Sequence, residues 1–281
     1  MPARLTKLKR TGAPKAIAAS RPIADPRKRL HRVIELLEAN LGLPVWDGRK
    51  DALEVMVLTI LSQNTTDPNA LRGYQTLAAA LPAKSPTGKR PETLPRDAAG
   101  NVDKVALRLS NAATAVEPPD WDAVARLPQG ELANLIRAAG LPESKSGSIL
   151  ALLHWVHEVT GRYSLDAAIG KLGLDASMEA LGKLKGIGVK TITVTLIEAT
   201  GADMCPVDTH VHRIVNRLGI VDTGSNRDKT YVLLGPMIPA GHAYGLHHNL
   251  LTFGRTVCVA KNPRCEACPL RKLCPRVGLP S

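Results

Sequence analysis

Residues 177 to 200 hold two apolar helical patterns, SMEALGKL and TITVTLIEA, separated by Lys185-Gly186-Ile187-Gly188-Val189-Lys190. Glycines at 186 and 188 let the chain reverse tightly and let its backbone come close to whatever lies outside, so the stretch reads as a helix hairpin. The first amides of the second helix have no partner within that helix. With the helix dipole they favour an anion. The chain as a whole carries 37 lysines and arginines against 25 acidic residues, net charge +12, which points to a polyanionic partner and makes nucleic-acid phosphate the natural anion. Taken alone, a Gly-x-Gly pair is also simply a tight turn between helices.

Lys190 falls in the first turn of the second helix, where the same positive potential disfavours an ammonium. A lysine made less cationic by a helix start and partial burial can act as a nucleophile toward a sugar or carbonyl carbon. Asp208, in Val207-Asp208-Thr209-His210, follows that helix, and a chain reversal after residue 200 would bring carboxylate and amine into one cleft. His210 beside it is a candidate phosphate contact, or a structural hydrogen bond.

The remaining pattern is helical. Asp25-Pro26 is a helix start, followed by Leu30, Val33, Ile34 and Leu37 on one face until Gly42. DALEVMVLTIL, from Asp51 to Leu61, is apolar nearly all round and is expected at the centre of a core. The polar run Ser62-Gln63-Asn64-Thr65-Thr66 then forms a surface loop before a helix from Pro68 to about Leu81. Helical pattern also runs from Trp121 to Ala139, breaks at Gly140-Leu141-Pro142, and resumes from Ile149 to Val159. No segment shows sustained strand alternation, so the fold class is all-α. Residues 82–120, rich in proline, glycine and charge, read as an insertion. Residues 1–24 read as a basic, disordered arm, suited to phosphate contact, to organelle targeting, or to nothing beyond solvation. No apolar run approaches the roughly 18 residues of a membrane helix. Aromatic residues are only 3% of the chain, which disfavours stacking platforms for single-stranded bases.

Four of the five cysteines, Cys258, Cys265, Cys268 and Cys274, follow the spacing C-x6-C-x2-C-x5-C. Clustered cysteines without a secretory signal are metal ligands before they are disulfides. Counting leaves zinc and an iron–sulfur cluster both open. Structural zinc more often uses two short C-x2-C knuckles, and only one is present here. Arg255, Lys261, Arg264, Arg271, Lys272 and Arg276 surround the cluster, either to face a phosphate backbone or to balance anionic thiolates. Cys205 stands apart as a small apolar residue.

LKGIGVKT, VDTHVHRIVNRLG and FGRTVCVAKNPRCEACPLRKLC together resemble endonuclease III, of the helix-hairpin-helix DNA glycosylase superfamily. LTILSQNTTD and IRAAGLPESKS extend the likeness more loosely. The resemblance implies a bilobal protein in which 25–45 and 203–281 form a discontinuous iron–sulfur domain. Residues 46–202 form a helical barrel with the hairpin at about 176–200. It implies Lys190 as nucleophile, Asp208 as catalytic carboxylate, and a 4Fe-4S cluster on Cys258, Cys265, Cys268 and Cys274, with zinc the alternative. Gly186, Gly188, Asn64, Leu141, His210, Lys261 and Arg264 are the expected DNA contacts, Asn64 and Leu141 filling the gap left by an everted base. The expected activity is excision of oxidised pyrimidines from double-stranded DNA by a monomer away from membranes, followed by β-elimination at the abasic site. In a bacterium the place expected is the cytoplasm, at the nucleoid. A single-step mismatch or adenine glycosylase and a non-catalytic hairpin module are the alternatives; Lys190 counts against the first, and Lys190 with Asp208 against the second. The chain departs from the family at Asn64, where glutamine is common, at Lys185, where proline is usual, and at Ile192, where a small residue is usual.

Overall fold

The computed structural model describes residues 24–46, 48, 50–84 and 117–279. Among these residues the fold is all-α, and the single extended feature is an isolated antiparallel bridge between Pro82 and Pro119. The basic arm lies outside the described residues, as does most of the 82–120 insertion. The ends of that insertion meet at the bridge, where Asp120 N–H donates to the Leu81 carbonyl at 2.7 Å.

Helix α1, Pro26–Leu41, starts where Asp25 accepts the Arg27 and Lys28 amides and stops at Gly42, with φ 84°. Its buried stripe is Leu30, Val33, Ile34 and Leu37. Helix α2, Ala52–Ser62, is capped by Asp51 and is buried from Ala52 to Leu61, as its apolar circumference requires. Its two buried polar side chains are satisfied: Glu54 accepts the Tyr74 hydroxyl at 2.6 Å and Thr59 donates to the Val55 carbonyl. Helix α3, Asp67–Ala80, packs on it.

The stretch expected to be helical from Trp121 to Ala139 divides into α4 (Trp121–Ala125), α5 (Gln129–Leu135) and a 3-10 turn, Arg137–Ala139. Pro128 sits at the start of α5, and its ring removes a donor that a continuous helix would need. Helix α6, Pro142–Thr160, begins well before Ile149. Its polar first turns hid it: Lys145, Ser146 and Ser148 are buried, so the periodicity there is carried by polar side chains. Helices α7 (Leu165–Leu172), α8 (Leu174–Gly182) and α9 (Val189–Thr200) follow, then α10 (Thr209–Arg217), α11 (Arg227–Leu234) and α12 (Ala243–Thr256).

The buried apolar residues form two cores. One runs from Ala52 to Ala199 around α2; the other joins α1 to residues between Cys205 and Leu270. Each fully buried leucine, isoleucine or methionine contributes about 1.5–3 kcal/mol. Polar ties cross between segments distant in sequence. Arg29 donates to the Leu218 and Gly219 carbonyls at 2.8 and 3.0 Å, and Trp46 Nε1 donates to the Glu198 carbonyl at 3.0 Å.

Candidate active site

The hairpin closes between α8 and α9. Gly186 has φ 84°, and a Cβ there would overlap Ser148 Oγ, which donates to the Lys185 carbonyl at 2.9 Å. Glycine is thus demanded at 186 by the protein itself. Gly188 is different: its φ is −98°, and an added Cβ would meet nothing within 4 Å. Nothing among the described residues requires glycine there. No side chain caps α9, so its first amides remain available. Ile192 is accommodated because its Cδ1 packs against the bare Gly182, 4.0 Å from where a Cβ would stand.

Lys190, in the first turn of α9, is exposed, yet neighbouring protein partly desolvates its amine. That desolvation pushes its pKa below the ordinary lysine value; Asp208 and Asp67 pull it back up, while Arg227 and Arg255 press it further down. Lys190 and Asp208 therefore face one electrostatic space. Asp67, Arg227 and Arg255 share it, and sequence reasoning had not assigned them there. Nothing local in the sequence links Asp67, in the first turn of α3, to Lys190.

Asp208 is half-buried and caps α10. Its Oδ1 accepts the His210 and Val211 amides, both at 2.8 Å, and among the described residues Oδ2 has no hydrogen bond. Two supports fix the segment that carries it. The buried His247 ring donates from Nδ1 to the Pro206 carbonyl at 3.0 Å, and burial with His248 nearby pushes its pKa down to about 4. Arg213 donates to the Thr209, Gly254 and Cys258 carbonyls.

His210, expected to contact DNA, also has structural partners within the protein. Its Nδ1 accepts from Arg213 at 3.1 Å, and its ring packs on Gly254. His212 bridges Thr230 Oγ1 and the Gly224 carbonyl at 2.8 and 3.1 Å. His248 Nε2 sits 3.1 Å from Glu198 Oε1 without hydrogen-bond geometry.

Asn64 and Leu141 are both exposed, and both have left-handed backbone, φ 53° and 49°. Asparagine tolerates this; a leucine there costs about 1–2 kcal/mol and persists only where its surroundings impose it. Lys261 and Arg264 are exposed in the cysteine-bearing tail.

Residues 57–238, which include the hairpin, Lys190 and Asp208, match the model for HhH-GPD superfamily base excision DNA repair proteins. The chain belongs to that superfamily. It is 32% identical to endonuclease III of Thermotoga maritima over 224 residues, which is 80% of this chain and 83% of that one. Against endonuclease III of Bacillus subtilis it is 35% identical over 157 residues, 56% of this chain. It spans 66% of the length of that relative. A solved non-covalent endonuclease III–DNA complex has the same fold, with TM-score 0.62 and 21% identity over 89% of this chain and 95% of that one.

As in endonuclease III, this HhH-GPD chain ends in an iron–sulfur binding domain, matched over residues 258–274. Cys258, Cys265, Cys268 and Cys274 line one recess together with Arg217, Arg264, Arg271 and Arg276. Among the described residues no group of three or more His, Cys, Asp or Glu is arranged to hold a metal ion. Four thiols lining one recess fit a polynuclear cluster, and the match to the endonuclease III iron–sulfur domain indicates a 4Fe-4S one. Burial pushes the Cys268 thiol up to about 11 and raises Cys274 as well, so protons must leave as iron binds. Arg217 supports the ligand loop, donating to Cys258 Sγ at 3.4 Å and to the Val259 and Ala260 carbonyls at 2.8 Å. Bound there, a cluster would tie the loops of the tail together. Cys205 lies apart and buried, its thiol pKa raised by desolvation.

Proposed function

We propose that this chain is a base excision repair DNA glycosylase and AP lyase acting on oxidised pyrimidines in duplex DNA. What supports the reading is Lys190, an amine at the uncapped start of a helix whose pKa is lowered by desolvation and on which the charge of Asp208 acts. A base within the duplex is out of reach, so the damaged nucleotide is everted, which costs a few kcal/mol and less where pairing is already weak. Asn64 and Leu141 enter the space it leaves. The hairpin amides around Gly186 and Gly188 hold phosphate, with Lys261 and Arg264 adding contacts from the tail. The division of labour follows the two cores, 46–202 presenting the hairpin and 25–45 with 203–281 presenting Asp208.

In the reaction, the neutral Lys190 amine bonds to C1′ as the glycosidic bond breaks and its electron pair leaves on the base. Asp208 Oδ2 stabilises positive charge building on the sugar and takes the surplus proton from nitrogen. Ring opening gives a protonated imine, which acidifies the neighbouring sugar C–H. Loss of that proton expels the 3′ phosphate and nicks the strand. Borohydride reduction on abasic DNA tests this, because only a lysine imine is captured covalently. Full trapping is expected for the native chain and none for Lys190→Ala; a Lys190→Ala chain that traps at full yield removes the assignment. Capture without base release from any oxidised pyrimidine would remove the substrate class.

A further inference from the structure

Leu141 and Asn64 sit on different loops, and both are held in left-handed backbone with exposed side chains, Leu141 being 54% exposed. A buried lysine bonds to the segments that lead into both loops. Lys145, only 2% exposed, donates from Nζ to the Leu61 carbonyl and to the Ala139 carbonyl, both at 2.7 Å. Leu61 lies in the last turn of α2, immediately before the loop that carries Asn64. Ala139 ends the 3-10 turn that leads into Leu141. Both carbonyls belong to helix ends, where the last C=O groups lack partners and the dipole favours a cation.

No carboxylate among the described residues pairs with Lys145. Burying an ammonium without a counter-charge is unfavourable unless its hydrogen bonds are essential, and a methionine would fill the same space at lower cost. Burial brings its pKa down to about 8, so near neutral pH it remains the ammonium with donors for both carbonyls. A second tie is built the same way. Gln63 Nε2 donates to the Gly186 carbonyl at 3.1 Å and to Thr191 Oγ1 at 3.0 Å, fastening the Asn64 loop to the hairpin and to the helix that carries Lys190.

We propose that Lys145 and Gln63 are positioning residues that fix the two loop tips at one spacing above the hairpin, so that Asn64 and Leu141 enter the vacated stack together. This rests on the reading of those two side chains as gap fillers. It places the effect on nucleotide eversion and not on imine chemistry, which separates it from a general loss of fold.

The test compares two substrates for the same full-length protein loaded with its cluster. On a duplex with one oxidised pyrimidine paired to a purine, Lys145→Met is expected to lower single-turnover base release by about tenfold or more, as a small misplacement of a positioning group does. The fluorescence rise of a 2-aminopurine beside the lesion should fall with it. On a preformed abasic site, borohydride trapping should stay within about twofold, since no base has to be everted. Equal losses on both substrates, or no loss on either, overturn the proposal. Should Lys145→Met not fold, Gln63→Ala removes only the surface tie and carries the same expectation and the same overturning results. Asn64→Ala and Leu141→Ala run alongside: if neither weakens release from the paired lesion, the gap-filling reading fails on its own account, whatever Lys145→Met does.

Discussion

The His210 ring packs so closely on Gly254 that a Cβ added at Gly254 would stand 2.5 Å from its Nδ1 and 2.8 Å from its Cβ. Helix α12 therefore meets α10 across a glycine, one turn from the carboxylate of Asp208. Gly254→Ala should force the two helices apart, costing about 1–3 kcal/mol as overpacking does. Base release should fall with it because the Asp208 cap moves. An unchanged melting temperature would show that the contact yields without cost.

The two hairpin glycines should separate stability from binding. Gly186→Ala collides with Ser148 Oγ at a positive φ and should lower the melting temperature; adding Ser148→Ala should recover only part, because about 1–2 kcal/mol of backbone strain remains. Gly188→Ala, with an ordinary φ and open space around the new methyl, should melt within about 0.5 kcal/mol of the native chain. It should nevertheless bind duplex DNA more weakly. Equal DNA affinity for Gly188→Ala in a titration at fixed salt would mean that no backbone approaches there.

The amine must be neutral to attack, so imine trapping should rise with pH. Because burial lowers the Lys190 pKa, the inflection should lie below the ordinary lysine value. Asp208 holds the pKa up, so Asp208→Asn should move the inflection further down while lowering the plateau. The asparagine keeps an oxygen for the α10 cap, so the fold should survive. A plateau that stays at the native level would dismiss Asp208 from the chemistry.

His247 is buried in its neutral form, with a pKa near 4 in the fold against 6.5 ordinarily; besides His248, the charges of Asp208 and Glu198 act on it. Between those values the unfolded chain binds a proton that the folded one refuses. Stability should be flat above pH 6.5 for this group and fall as pH drops toward 4, by on the order of 3 kcal/mol. His247→Gln should flatten the difference, seen by denaturant titration across that range. Parallel pH profiles for the two chains would contradict the assignment.

The loaded protein should be brown, and Cys258→Ser should lose the broad visible absorbance along with stability of the tail. A colourless preparation made without oxygen and carrying zinc would contradict the iron–sulfur assignment. Loss of the cluster should also weaken DNA cleavage, because Arg213 and Arg217 anchor α10 on carbonyls of the cysteine loop.

Where a reading needed only the chain's own periodicity or covalent spacing, the sequence sufficed. Helix α1, the all-round apolar α2, the hairpin glycines and the four cysteines are local features, each visible within a dozen or so residues. The start of α6 was missed because its buried side chains are polar, and the break at Pro128 because apolar spacing continues on both sides of it. The packing of the His210 ring on Gly254, distant in sequence, is not visible in local pattern.

By itself, then, the sequence determined most of the helices, the candidate nucleophile and the candidate metal ligands, since propensity, capping and ligand chemistry act over short stretches of chain. Tertiary structure alone decided that the charges of Asp208, Asp67, Arg227 and Arg255 act on Lys190. It also decided that Lys145 ties α2 to the Leu141 loop. Burial and mutual approach set a pKa or complete a hydrogen bond, and both depend on which distant segments the two cores bring together.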